Sequence, residues 1–238
     1  MQQAFLAPIE TGGRSAPEVI FRRLSEAIAT GELQAGDRLP SEADLAALLG
    51  VAVMTLRRAL EMLRDVGLIE TKRGRQGGNF VSPRAGDHIA RLAKKISFTR
   101  QEVRELTDWR RAISGEACYL AAERGLPPEF EAVVTAADEF DRFVVDLSSM
   151  RVADAKLHLA IAQAAHSARL HKEEAEIQVE LSKLVLSVPY SDQFRFTLTG
   201  LHDNILKALT ARDAELARAE LLIHVEETFN WCIALIQK

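Results

Sequence analysis

The hydrophobic pattern of residues 16–82 changes from a helical to a strand-like period at Gly67. Before this glycine, apolar residues recur at helical spacing in three segments, and the third segment is basic. After it, two short stretches, 68–71 and 79–81, flank a loop rich in glycine and arginine. Three helices followed by a glycine-tipped hairpin predict a winged helix-turn-helix, whose third helix is the candidate for the DNA major groove.

Residues that cap or break helices set the limits of the three segments. Pro17 opens the first helix, and Gly31 can end it. Ser41 is placed as the N-cap of a short second helix that ends at Gly50. The third helix should end at Gly67 and point its arginines to solvent. The apolar stripe that it should bury consists of Leu56, Ala59, Leu60 and Leu63.

Residues 97–238 read as helices with short breaks, and aromatic residues make up only 6% of the whole chain. This pattern predicts an antiparallel bundle of six helices, or seven if residues 87–96 form one. We therefore expect a mainly α chain with a winged helix-turn-helix over 16–82, a linker or linker helix over 83–96, and an all-helical domain over 97–238. Residues 1–15 show no periodicity and are expected to be disordered.

The net charge of −4 is unevenly distributed along the chain. Residues 1–95 carry 14 basic and 11 acidic side chains, whereas residues 96–238 carry 16 and 23. Within residues 51–84, seven basic side chains face only three acidic ones. A basic segment on an acidic chain favours a nucleic-acid reader joined to a second domain, although a chance cluster of solvated charges would look the same.

The sequence carries no sign of export or of a membrane span. The first ten residues lack the basic start and apolar core of a secretory leader, and no apolar run approaches the roughly 20 residues that a bilayer requires. Two cysteines, Cys118 and Cys232, are too few for a disulfide framework or a zinc–thiolate site. We expect a cytoplasmic protein with no membrane partner.

Histidines in the second half of the chain form a candidate metal-binding set. Asp154 and His158 are four residues apart, so they lie on one face of a helix. His202 and His224 fall in two later helices, each among apolar residues. Such histidines are more often satisfied core residues, but an acid and three histidines on three helices of a bundle can converge.

Two groups of motifs resemble a known family of regulators. The segments GELQAGDRLPSEADLA, TLRRAL, GLIE and GGNFV resemble the DNA-binding domain of GntR-family transcription regulators. The segments WRRAISGEACYLAAERG, DAKLHLAIAQAAHSARL and LHDNILKALTARDAELARAELLIHV resemble the all-helical FCD effector domain of the FadR-type branch. The resemblance implies a transcription regulator, expected to be a repressor, that responds to a small organic acid.

With this resemblance we expect a homodimer that reads an inverted repeat in double-stranded DNA, because one recognition helix reads only a few base pairs. Apolar faces are expected to contribute to the dimer contact; they include Leu120, Leu181, Leu184 and Val185. The residues expected to contact DNA are Ser41, Thr55, Arg57, Arg58, Arg73, Arg75, Gly77 and Gly78.

The resemblance also implies the ligands of the effector domain. Arg110 occupies the position from which relatives present a guanidinium to an effector carboxylate; a salt bridge with Glu105 or Glu116 is the alternative. FCD domains commonly bind a divalent metal through one Asp and three His. The matching residues here are Asp154, His158, His202 and His224, which suit Zn²⁺, Ni²⁺ or Mn²⁺.

Three positions depart from the family pattern. Ala43 stands where relatives carry an arginine, and Ala52 and Val53 stand where a Ser or Thr followed by Arg is usual. An alanine at the N-cap costs about 1 kcal/mol of helix stability. Two further hypotheses therefore stay open: a metal-dependent hydrolase, and a partner protein that has lost operator recognition. The chain has no H-E-x-x-H motif, so we expect no enzyme and assign no catalytic residue.

Overall fold

The computed structural model describes residues 4–9, 15–74, 77–144, 146–188 and 200–236. These residues form ten α-helices and one two-stranded sheet, so the chain is mainly α, as the sequence predicts. The chain divides into two compact units, Met1–Arg91 and Leu92–Lys238. No helix within the described ranges is long and apolar enough to cross a membrane.

The N-terminal unit has the winged helix-turn-helix order that the sequence predicts. Its elements are α1 (Ala16–Ala29), α2 (Glu42–Leu49), α3 (Val53–Asp65), β1 (Ile69–Lys72), β2 (Gly78–Val81) and α4 (Ala85–Ala93). The two strands are antiparallel, with Ile69 opposite Val81. The stripe predicted on α3 is buried and packs against α1 and α2 in one core. This packing holds α3 in place while its other face stays exposed.

The predicted helix limits of α2 and α3 are confirmed by their caps. The Ser41 hydroxyl accepts a hydrogen bond from the Asp44 N–H at 3.2 Å, and Gly50 ends α2 with a φ of +67°. Ala52 precedes α3 and has no side chain to cap it. Gly67 follows α3 with a φ of +79°, and a Cβ there would lie 2.7 Å from the imidazole of His88. Glycine is therefore required at this turn.

A short segment before α2 lies along the wing, as the hairpin β1–β2 is called here. Arg38 pairs with Phe80 in an isolated β-bridge, and the Leu39 N–H donates to the Asn79 carbonyl at 2.9 Å. The Arg38 guanidinium also donates to the Gly77 carbonyl at 2.7 Å. From the sequence alone, residues 34–40 are interpreted as a connection between α1 and α2. The part that lies along the wing is only about three residues long, which is too short to show a strand period.

The N-terminal tail differs from the expected disorder over residues 4–9. Phe5 lies in a short 3-10 helix, Ala4–Leu6, and is only 3% exposed, packed into the core of the N-terminal unit. The Ile9 N–H donates to the Leu49 carbonyl at 3.1 Å, at the end of α2. Burial of an aromatic side chain stabilises this stretch, and one aromatic residue leaves no periodic pattern in a sequence.

The segment expected to be a linker also contributes to this core. Ala85 is buried among the residues of α1–α3, and Ile89, one turn later, packs against the same cluster. The first turns of α4 therefore belong to the N-terminal unit.

The C-terminal unit contains six further helices in its described residues. They are α5 (Arg100–Arg124), α6 (Pro127–Phe143), α7 (Leu147–Ala164), α8 (Ala168–Ser187), α9 (Asp203–Thr210) and α10 (Ala214–Ile236). A capping box of Thr99 and Glu102 begins α5, which packs against α7, α8 and α10. Many alanines lie in these interfaces, so the helices approach closely around the polar residues of the interior.

Three residues expected at a dimer contact are instead inside the bundle. Leu181, Leu184 and Val185 are between 2% and 5% exposed and pack with residues of α5 and α10. They are not available to a second chain in this arrangement. Their apolar spacing on α8 is the same for a core face and for an interface, so the sequence could not separate the two.

Replacing Phe5 by alanine tests whether the tail contributes to stability. We expect Phe5→Ala to lower the free energy of unfolding of the N-terminal unit by about 2–4 kcal/mol, because a buried aromatic ring is removed. Chemical denaturation followed by circular dichroism measures this change. Met54→Ala, at a residue that is 70% exposed, is the control and should have little effect. Equal stability of both variants would show that the tail does not pack.

Candidate metal centre and nucleic-acid interface

Four buried side chains converge inside the bundle. Asp154 and His158 lie on successive turns of α7, His202 is the residue before α9, and His224 lies in α10. One ligand atom from each lies within 4.8 Å of the others. The structure therefore brings together all four residues that the sequence proposed as metal ligands.

The facing atoms of this cluster are imidazole Nε2 atoms and one carboxylate oxygen. The Nε2 atoms of His158 and His224 are 3.2 Å apart. The Nε2 atom of His202 is 3.0 Å from Asp154 Oδ1, and that of His158 is 3.8 Å from the same oxygen. The His202 ring also meets Phe140 edge-on, with the ring centroids 4.7 Å apart. Three nitrogen donors and one oxygen donor thus face one another in a buried space.

Arg110 of α5 points into this cluster. Its Nη2 atom lies 2.9 Å from His158 Nε2 and 3.1 Å from His224 Nε2. A guanidinium only donates hydrogen bonds, so both Nε2 atoms accept through their lone pairs and carry no proton. Burial first, and then neighbouring positive groups, hold the pKa of both histidines well below the usual range. The partners of Arg110 are therefore neutral imidazoles, and neither Glu105 nor Glu116.

A second buried arginine, Arg151, holds Asp154 from behind. Its guanidinium donates to Asp154 Oδ2 and to the Gln178 side-chain carbonyl, and its Nε donates to Ser182 Oγ at 3.1 Å. The amide of Gln178 donates in turn to Glu174 at 2.6 Å. Because Oδ2 is occupied, Oδ1 is the carboxylate oxygen that faces the histidines.

The charge of Arg151 also sets the ionisation of Asp154. Burial alone would raise the pKa of this carboxyl group. The Arg151 guanidinium and the neighbouring histidines outweigh burial and hold the pKa well below its usual range. Asp154 is therefore a carboxylate at neutral pH. Sequence analysis missed Arg151, although its position three residues before Asp154, on the same helix face, was a usable signal.

A cavity of about 290 Å³ opens beside the cluster. Its described lining includes Asp154, His224 and Arg151, whereas Arg110 is not part of it. The remaining walls are mostly apolar; they consist of Phe140, Met150, Leu181, Val185, Leu201, Glu227, Thr228 and Trp231. A cavity of this size next to convergent polar groups is the usual form of a small-molecule site.

The exposed face of α3 carries the predicted reading residues. Arg57 and Arg58 are exposed, and Thr55 is half-buried in the first turn. The Nε of Arg57 is 2.7 Å from a carboxylate oxygen of Glu42 in α2. Ser41, the cap of α2, is also exposed. Sequence analysis missed the pairing with Glu42, because the two residues are 15 positions apart.

Four of the residues expected to contact DNA belong to the wing; they are Arg73, Arg75, Gly77 and Gly78. Arg73 is exposed, and Gly77 and Gly78 lie at the start of β2, whereas Arg75 lies outside the described residues. Arg64 of α3 differs from its expected outward position. It is half-buried, and its guanidinium is 3.3 Å from the side-chain oxygen of Asn79 in β2, which ties α3 to the wing.

Apolar residues are exposed where the family pattern has polar ones. Val53 is 36% exposed and Met54 is 70% exposed, both in the first turn of α3. They follow Ala52, which supplies no capping side chain. The tip of α3 therefore presents methyl and thioether groups beside Arg57.

Comparison with known proteins identifies the two units. Residues 17–80 match the bacterial regulatory proteins of the gntR family, and residues 105–227 match the FCD domain. The chain belongs to this family. It is a DNA-binding transcription regulator of the GntR/FCD type.

Several relatives match along most of the chain. A putative HTH-type transcriptional regulator, RmpR, of Mycobacterium gastri is 35% identical over 217 residues, which cover 87% of this chain and 74% of the relative. A putative L-lactate dehydrogenase operon regulatory protein of Escherichia coli K12 is 28% identical over 87% of this chain and 85% of the relative. LutR of Bacillus subtilis is 27% identical over 83% and 92%.

A solved structure supports the fold. A putative GntR transcriptional regulator from Rhodococcus sp. RHA1 superposes with a TM-score of 0.54 at 23% sequence identity. The match covers 92% of this chain and 98% of the other. The similarity concerns the fold alone, and it agrees with an N-terminal helix-turn-helix followed by an all-helical domain.

Removing one partner of the Arg151–Asp154 pair tests the buried contact. We expect Asp154→Ala to destabilise the bundle by about 3–5 kcal/mol, because the guanidinium loses its carboxylate in a buried setting. Replacing both residues, as Asp154→Ala with Arg151→Met, should recover part of this loss. Denaturation in the presence of a chelator measures the protein contacts alone. A double variant less stable than Asp154→Ala would contradict the pairing.

Proposed function

We propose that this regulator is a homodimeric repressor whose bundle binds one divalent metal ion and senses a small carboxylate. The single observation that carries the proposal is the convergence of Asp154 and three histidines beside a cavity, with Arg110 in contact with two of these histidines. These residues offer a metal ion its ligands and a carboxylate its charged partners. DNA binding by α3 and the wing is the output.

On the DNA side, the proposal assigns different roles to α3 and the wing. Arg57 and Arg58 stand on the exposed face of the recognition helix, where a guanidinium reaches base edges. Arg73 extends from the wing, where contacts to phosphate fix position without reading sequence. Two such units related by a two-fold axis read an inverted repeat.

Substitution of the two arginines should separate reading from general affinity. In vitro selection with the full chain should return an inverted repeat. On that DNA, Arg57→Ala should weaken binding about 5- to 150-fold and relax the preferred base at one position in each half-site, because a bidentate base contact is worth about 1–3 kcal/mol. Arg73→Ala should weaken binding to all sequences alike and reduce the salt slope by about one. Gel shifts at several salt concentrations measure both effects.

The control for these gel shifts is Arg169→Ala, an exposed arginine of α8 in the bundle, which should change neither quantity. Equal losses for Arg57→Ala on selected and random DNA would show that Arg57 does not read bases. Selection without any enriched sequence would instead support the alternative of a partner protein that has lost operator recognition.

The donor set fits a divalent metal ion. Neutral imidazoles and an ionised carboxylate are the protonation states that metal binding requires, and both are favoured here. The ligand types suit Zn²⁺, Ni²⁺ or Mn²⁺ alike. Bound by Asp154, His158, His202 and His224, such an ion would supply positive charge and a coordination position for a carboxylate oxygen. Arg151 keeps Asp154 oriented for this task.

Charge balance then favours an anionic effector. Two guanidinium groups, Arg110 and Arg151, are buried with the Asp154 carboxylate and with Glu174, whose pKa is raised by burial. A divalent ion adds positive charge that a buried site must neutralise. It also uses the imidazole lone pairs to which Arg110 donates, so this guanidinium needs a new acceptor. A carboxylate fits both requirements, because it can bind an ion and a guanidinium together.

Substitutions at the centre should separate metal binding from effector binding. His202→Ala should remove most of the metal and abolish the effector response, while DNA binding is retained. Arg110→Ala should keep the metal and lose the effector, because only the guanidinium partner is removed. The measurements are elemental analysis of the purified protein and operator binding during titration with a panel of carboxylic acids. An effector coupled by 1–3 kcal/mol changes operator affinity about 5- to 150-fold.

His166→Ala is the matched control, since this exposed histidine pairs with Glu129 away from the cluster. A metal-free protein with an unchanged effector response would contradict the metal assignment. Turnover of an ester or amide that is lost in His202→Ala, with no affinity for DNA, would instead favour a metal-dependent hydrolase.

A further inference from the structure

The cavity beside the candidate metal centre has polar residues at one side and mostly apolar walls elsewhere. Asp154 and His224 stand at one side, where the proposed metal ion and carboxylate would meet. Six apolar side chains make up most of the rest; they are Phe140, Met150, Leu181, Val185, Leu201 and Trp231. A ligand that only filled the polar side would leave this apolar surface in contact with water.

Arg151 and Thr228, two polar residues of the described wall, already have hydrogen-bond partners. The guanidinium of Arg151 already donates to Asp154, Gln178 and Ser182. The Thr228 hydroxyl donates to the His224 carbonyl at 3.0 Å. Ligand hydroxyl groups that lay against Arg151, Thr228 or the apolar side chains of the wall would therefore lose hydrogen bonds to water and find few replacements there.

The negative charge of Glu227 at the outer side of the cavity disfavours a ligand with a second carboxylate group. Glu227 lines the cavity and is exposed, whereas Asp154 and His224 are buried, so Glu227 marks the solvent side. A dicarboxylate whose first carboxylate bound the ion would bring its second group towards this side chain. Repulsion between like charges disfavours that arrangement.

The volume of the cavity limits the size of the part of the ligand beyond its carboxylate, called the ligand body here. At about 290 Å³ the cavity is roughly twice as large as the cavity of about 150 Å³ that accommodates a benzene molecule in another protein. One ring, or a branched alkyl group of similar size, together with a carboxylate therefore fits. A two- or three-carbon acid would fill only a small part.

We propose that the effector is a monocarboxylate with an aryl or branched alkyl body, and that Leu181, Val185 and Trp231 select this body. The proposal rests on the proposed metal centre and carboxylate site, and it adds the chemical class of the molecule. Small hydroxy acids and dicarboxylates are the classes that it excludes.

Paired ligands test the class directly on the unmodified full chain loaded with one equivalent of Zn²⁺. Calorimetry compares acetate with phenylacetate, lactate with 3-phenyllactate, and succinate with phenylacetate. Each phenyl-bearing acid should bind at least about 50-fold more tightly than its partner, because each buried methylene contributes roughly a fourfold gain. Equal affinities within each pair, or tighter binding of lactate or succinate, would overturn the proposal and leave the carboxylate site intact.

A cavity-filling variant locates the selecting wall. Val185→Phe should weaken phenylacetate at least about 20-fold, change acetate less than about threefold, and leave the metal content unchanged. Val134→Phe makes the same change on the exposed face of α6 and should alter none of these values. Unchanged phenylacetate affinity in a folded Val185→Phe protein would place the body elsewhere. Binding of Zn²⁺ without any carboxylate would overturn this proposal together with the proposed effector function.

Discussion

The interior of the bundle depends on the hydrogen-bond partners of two buried guanidinium groups. Arg110 and Arg151 are each about 2% exposed, and a charge in such a place is tolerated only with partners on several sides. Arg151 takes its partners from α7 and α8, and Arg110 takes imidazoles from α7 and α10. These contacts fix the relative positions of four helices whose alanine-rich interfaces alone would allow them to slide.

Arginine side chains also connect structural elements of the N-terminal unit. Arg38 donates to the main-chain carbonyl of Gly77, directly before β2, and Arg64 donates to the side chain of Asn79 in β2. The wing is thereby attached to the segment before α2 and to α3, although its sheet has only two strands in the described residues. Arg57 and Arg58 of α3 and Arg73 of the wing are exposed, and they are the arginines proposed to contact DNA.

Sequence patterns predicted the features that depend on residues close together in the chain. The caps at Ser41 and Gly50, the stripe on α3 and the Asp154–His158 pair follow from spacing within a few residues. His202 and His224 were candidates from their place among apolar residues, and resemblance to a family joined them to Asp154 and His158 as one ligand set.

Contacts between distant residues explain most of what the sequence did not predict. Phe5 in the core, Arg38 on the wing and Glu42 beside Arg57 each join positions 15 or more residues apart, or lie in a segment too short for a pattern. Leu181 and Val185 show the opposite limit. The sequence showed that they form an apolar face on α8. It did not show that this face packs in the core and lines the cavity.

Part of the apolar wall of the cavity lies on a helix that supplies none of the candidate metal ligands. Leu181 and Val185 belong to α8, which supplies none of the four candidate ligands. A substitution at Leu181 or Val185 therefore changes the wall without removing a candidate ligand, whereas Gln178 and Ser182 of the same helix hold Arg151. During evolution, duplicated copies of such a gene can diverge towards new inducers by changes in one helix. The inherited centre and the operator would stay as they were.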